Sequence, residues 1–240
     1  MNASKRTARI AGALFLTAMV TSLVGGVWLE SITAAPDWLA TVSDNQVPVV
    51  VGVLLELVNC AAVVGIAAVL YPVLKGHSEA LAVGYAGIRV VEAVVLSLAA
   101  ISPLLLVTLS QVYVAAGAGD AANFQALGTL VMDARAQIAG LLTPVFFGLG
   151  AVLLYGSLYQ TRLVPRFISV WGLLAVASML TWNLLNTFGL TLGAAMLFGL
   201  PIITNEIFFG IWLIARGFNG PVAKTTVAEV EPSATVAGLS

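Results

Sequence analysis

The apolar positions of this chain fall into six long runs separated by short polar breaks. They extend from Ile10 to Trp28, Pro48 to Leu74, Leu81 to Val112, Gln137 to Tyr159, Phe167 to Phe188 and Leu192 to Ala215. Each supplies the roughly 20 apolar residues that a helix needs to cross a hydrocarbon core about 30 Å thick. Lipid satisfies no backbone group, so a span is either a helix or a strand of a closed barrel. Unbroken Ala, Leu and Val lack the alternation of barrel strands. The pattern therefore predicts an all-α integral membrane bundle of six transmembrane helices. The third and fourth runs exceed one upright crossing and should tilt or project from the bilayer, the fourth continuing a helix that begins near Asn123. Pro103 is expected to kink the third.

Composition removes the competing classes. Hydrophobic residues make up 60% of the 240, and charged residues only 9%. A water-facing globule carries about 25% charged residues, so this chain lacks the polar groups to cover one. Mean hydropathy is +1.04 and net charge −1, which leaves no basic surface for nucleic acid. The expected contacts are membrane lipids and a small-molecule or ion ligand; oligomeric state is not legible. Cys60 and His77 each stand alone in their residue type, so no internal disulfide, metal centre or cofactor is predicted.

Orientation follows from the basic residues. Lys5, Arg6, Arg9, Lys75, Arg162, Arg166, Arg216 and Lys224 all fall on one side of a six-span topology. Glu30, Asp37, Asp44 and Asp120 fall on the other, and its loops hold no Lys or Arg. That asymmetry places both termini in the cytoplasm. The first run is too long for a signal-peptide core and no small-x-small site follows it, so it is expected to stay as a span. Residues 1–216 read as the membrane domain and 217–240, rich in Ala, Thr, Val, Glu and Pro, as a disordered cytoplasmic tail. No internal repeat supports an inverted-repeat transporter.

Several segments match as an ordered set. They are Thr7-Ala-Arg-Ile-Ala-Gly12, Gly87-Ile-Arg-Val-Val-Glu-Ala93, Phe147-Gly-Leu-Gly-Ala-Val-Leu-Leu-Tyr155, Leu163-Val-Pro-Arg166 with Trp171-Gly172, and Glu206-Ile-Phe-Phe-Gly-Ile-Trp-Leu-Ile-Ala-Arg-Gly-Phe218. In this order they resemble the bacterial multi-pass membrane family catalogued as domain of unknown function 4386, over about Arg6 to Phe218. The resemblance implies six or so spans in the bacterial cytoplasmic membrane and no established activity, so it carries no catalytic roles over. Where the family often has a His before the fourth span, this chain has Met132-Asp133-Ala134-Arg135.

Ionisable side chains inside a membrane are costly, which makes each one a functional candidate. Counting ~1.5 Å per residue from the basic edges puts Arg89, Glu92 and Glu206, with Asn205 beside it, near the bilayer centre. Arg89 and Glu92 are i,i+3 neighbours able to pair, and Arg89 is expected to bridge to Glu206 as well. Nearer the acidic side come Glu56 and Asn59, Asn183 and Asn186, and Asp133 and Arg135, suggesting a water-accessible vestibule. Asp133 and Arg135 point apart and need other partners. One Arg against two central acids leaves a carboxyl free to carry a proton or meet a cation. Two readings stand: binding or moving a small solute, proton or lipid head group, or a structural role in which buried charges only lock helices together. Enzyme chemistry has little support, because no nucleophile elbow, metalloprotease or phosphate-loop motif occurs and no catalytic residue is assigned.

Overall fold

The computed structural model describes residues 3–33, 35, 37–117, 120–190 and 195–219. Its helices are α1 (Ala3–Thr33), α2 (Trp38–Asp44), α3 (Gln46–Lys75), α4 (Glu79–Ala115), α5 (Ala121–Gln137), α6 (Thr143–Thr161), α7 (Arg166–Thr187) and α8 (Ala195–Ala215). A π-helical turn, Ile138–Leu142, joins α5 to α6, making one helical stretch of 41 residues. Six stretches are long and apolar enough to cross a membrane: α1, α3, α4, α5 with α6, α7 and α8. They coincide with the six apolar runs. Pro103 falls inside the continuous α4.

The spans form a ring. α1 packs on α3, α3 on α4, α4 on α6, α6 on α7 and α7 on α8, and α8 returns to α1. Short connections dictate this order, since a turn of a few residues leaves consecutive helices antiparallel and adjacent. Ser78 starts α4 by accepting from the Leu81 amide at 3.3 Å. Arg162, in the left-handed region at φ +54°, ends α6, and Pro165 pre-sets the entry to α7.

One end of the ring gathers the basic segments. Gly217 lies beside Lys5 and Ala8. The Asn219 amide donates to the Leu163 carbonyl at 2.7 Å, and His77 meets Gln160 at 3.4 Å. Residues 217–219 thus belong to the folded body, with Phe218 buried, and not to a free tail. Residues 220–240, on which the rest of the expected tail falls, lie outside the described residues.

At this basic end the six spans share one core. Phe15, Ile66, Leu70, Tyr85, Tyr155 and Phe209 lie in it, with the Phe209 ring 5.1 Å from Phe15 and 5.9 Å from Tyr155. Between lipid-soluble helices the drive to associate comes from close packing, which small residues permit. Gly12 shows this: a Cβ there would stand 2.5 Å from the Gly210 carbonyl oxygen, so α1 and α8 cross backbone to backbone. Val27, Leu130 and Leu174, more than half exposed, turn outward as lipid-facing residues do.

The opposite, acidic end has a smaller core of Leu29, Ile32, Val42, Val49 and Leu106. Here α2 folds over α4, where the Ser110 hydroxyl donates to the Leu39 carbonyl. The Trp38 ring presses on α5 at Gly128, where a Cβ would fall 1.9 Å from the indole.

Candidate functional site

Between the two ends the ring encloses a cavity of about 120 Å³. Five helices line it: α1, α3, α4, α6 and α8. Its polar lining is Ser22, Asn59, Arg89, Glu92, Thr143 and Glu206. Phe15, Met19, Val63, Ile66, Leu96 and Phe147 supply the apolar walls.

Arg89 and Glu92 are both almost fully buried, one turn apart on α4, and their ion pair closes at 3.0 Å from Nη1 to Oε2. Helical geometry provides the pairing, because i,i+3 side chains stand one above the other. The guanidinium carbon also lies over the Phe147 ring, 5.9 Å from its centroid. Its Nε has no hydrogen-bond partner among the described residues. Glu206 does not join the pair as the sequence suggested. It borders the same cavity from α8, half-buried, and forms no ion pair or hydrogen bond with any described residue.

Asn59 also departs from expectation. It faces this inner cavity, with 7% of its surface exposed, and its amide has no partner among the described residues. Ser22, on α1, is exposed and lines the mouth of the cavity. Thr143, the first residue after the π turn, donates to the Ile138 carbonyl at 3.2 Å and keeps oxygen lone pairs toward the cavity. A buried polar group without a partner costs a desolvation penalty of about 1–3 kcal/mol, so such groups in native interiors call for a function or a bound molecule.

The acidic-side residues separate into two groups. Arg135 reaches from α5 to α3 and grips Glu56 through both terminal nitrogens. Arg135 Nη1 also donates to the carbonyl of Ala99 on α4. The reason lies in Pro103. Proline has no N–H to give the carbonyl four residues earlier, so Ala99 loses its helical partner and the guanidinium replaces it. Pro103 and Arg135 both border a second cavity of about 370 Å³ between α1, α4 and α5. Asp133 is exposed. Asn183 donates to the Met179 carbonyl of its own helix at 2.8 Å, and Asn186 is exposed. Both stand on α7, which packs on α6 and α8 away from α3, so they do not join Glu56 in one vestibule. Asn205, fully buried, donates to the Ile168 carbonyl at 3.1 Å and ties α8 to α7; it stands outside the cavity lining.

Fold and site together define the class: a multi-pass integral membrane protein whose helix ring holds a partly charged interior cavity. Comparison with known proteins then gives the family. The family described as Domain of unknown function (DUF4386) matches residues 10–217, and the chain belongs to it. No curated protein and no solved structure matches the chain. Arg89, Glu92, Phe147 and Glu206, which the family-like segments contain, all meet at the cavity.

Proposed function

We propose that this protein binds or moves a small polar solute or a proton through the interior of its helix ring. We place it in the bacterial cytoplasmic membrane with both termini in the cytoplasm. One observation carries the reading: Asn59 and Glu206, from two helices, face one cavity and neither has a protein partner among the described residues. Arg89 is committed to Glu92, so Glu206 is the carboxyl left to exchange a proton or meet a cation. A group that changes charge in the membrane interior is what solute or proton movement needs.

The structural reading suits other residues better. Asn205 to Ile168, and Arg135 to Glu56 and Ala99, join neighbouring helices. It does not account for Glu206 and Asn59, which join nothing.

Infrared difference spectra of the reconstituted protein across a pH titration test the proposal. A carboxyl C=O band should appear and vanish with pH in wild type and be missing from Glu206→Gln. An unchanged band set in Glu206→Gln would remove Glu206 from the proton-carrying role. Reporter fusions after Lys75, Arg162 and Lys224 should read cytoplasmic and fusions near Asp37 and Asp120 external; the reverse pattern would invert the orientation.

A further inference from the structure

Resting on that reading of the cavity, we infer that the solute it takes is a small organic cation, a protonated amine of a few carbon atoms. Three features of the lining lead there. The first is charge. The Arg89–Glu92 pair is internally balanced, which leaves Glu206 as the lining carboxyl without a cation partner. A cationic guest would supply the partner that this carboxyl lacks, whereas an anionic guest would find the nearest cation, Arg89, already paired with Glu92.

The second feature is hydrogen-bond count. An alkylammonium group carries three N–H donors and no acceptor, like the head of a lysine. The lining residues carry acceptors to match: the Glu206 carboxyl, the Asn59 amide oxygen, and the hydroxyl oxygens of Ser22 and Thr143. Thr143 already spends its own hydrogen on Ile138, so toward the cavity it acts as an acceptor.

The third feature is the apolar wall and the size. An inorganic cation sheds its water only for a shell of several oxygen ligands. Here Phe15, Met19, Val63, Leu96 and Phe147 occupy much of the boundary, which suits a hydrocarbon body and not a hydration shell. A protein cavity of ~150 Å³ accepts benzene, so the 120 Å³ here has room for about six non-hydrogen atoms or fewer. Methylammonium to butylammonium fall inside that limit and tetraethylammonium outside it.

The test uses the full chain in nanodiscs, with calorimetric titration and thermal unfolding as readouts. Methylammonium and butylammonium should bind and raise the melting temperature, while sodium chloride at equal concentration and tetraethylammonium should not. Glu206→Gln should weaken butylammonium binding by roughly tenfold or more, the loss expected when a hydrogen bond between charged groups goes. Val63→Phe fills the cavity from α3 and leaves Glu206 in place; it should abolish binding in a protein that still unfolds cooperatively. Butylammonium affinity unchanged in both variants would overturn the inference. Binding of acetate or acetamide in place of the ammonium ions, lost in Val63→Phe, would overturn the amine class yet leave the cavity as a ligand site. Failure of every probe to bind, with no titrating band from Glu206, would overturn both this inference and the reading beneath it.

Discussion

The two ends of the helix ring solve the same packing problem differently. At the basic end, glycine and aromatic residues bring the spans into direct contact: α1 meets α8 at Gly12 and Gly210, and Phe209 wedges between Phe15 and Tyr155. At the acidic end the apolar core is smaller, and polar side chains reach across gaps to join helices. Arg135 ties α5 to α3 and α4 there, beside a cavity about three times the volume of the central one. Close glycine contacts occur at both ends: a Cβ on Gly12 collides with the Gly210 backbone and one on Gly128 with the Trp38 ring, whereas one on Gly26, beside the larger cavity, meets nothing within 4 Å. The difference teaches where movement can occur. Interdigitated cores hold one arrangement, and regions of low contact density open at lower cost. A π turn at Ile138–Leu142, between Arg135 and Thr143, lies on the looser side, and such turns recur at functional positions.

Glycine substitution should break this contrast most visibly. Gly12→Leu forces α1 off α8 and is expected to cost about 3 kcal/mol, the upper part of the range for overpacking. Gly26→Leu should leave the melting temperature in detergent nearly unchanged. Equal losses at the two positions would mean that the region around Gly26 is as tightly packed as the α1–α8 crossing.

Next in size comes the central pair. Arg89→Ala strands Glu92 in the interior; one-sided loss of a buried pair costs ~3–5 kcal/mol in soluble cores and less among membrane helices. Glu206→Gln should be mild for stability, because Glu206 bonds to no described residue. If it melts as early as Arg89→Ala, Glu206 is part of the lock that holds the helices.

The Arg135 clamp allows a sharper comparison. Arg135→Ala should cost about 1 kcal/mol, as polar contacts between membrane helices do. In a Pro103→Ala background the loss should shrink, since residue 103 then supplies the N–H that the Ala99 carbonyl lacks. Full additivity in that double-mutant cycle would mean that Arg135 does not replace a helical bond. Smallest of all, Asn183→Ala and Asn186→Ala should each shift stability by less than about 0.5 kcal/mol, the usual range for substitutions away from structured contacts.

Much of this architecture is legible in the sequence because its determinants are local. Apolar length sets the six spans, and i,i+3 spacing predicts the pairing of Arg89 with Glu92. Contacts between distant segments are not. Glu56 and Arg135 lie 79 residues apart, and no spacing rule connects them. A clue did exist in Pro103, whose missing N–H leaves the Ala99 carbonyl seeking a donor; only the fold shows which helix supplies it. Asn59 was legible as an intramembrane polar residue and not as part of the central layer, because depth counted from one helix edge ignores how neighbouring helices tilt and stagger. Counting depth puts Glu206 in one layer with Arg89 and Glu92, and it does line the same cavity, but depth carries no rotation, and the side chain forms no ion pair with Arg89. The short helix α2 leaves no span-length signal, so its cap over α4 was invisible.

Polar side chains at the middle of the ring face an accessible cavity, while the core toward the basic end is closed. Single cysteines in a Cys60→Ala background test it directly, at Asn59 for the cavity and at Ala67, two turns further along α3, for the core. With a small cationic thiol reagent added to folded, reconstituted protein, Asn59→Cys should react steadily and Ala67→Cys should stay protected. Equal protection at both positions, or equal reaction at both, would contradict the account.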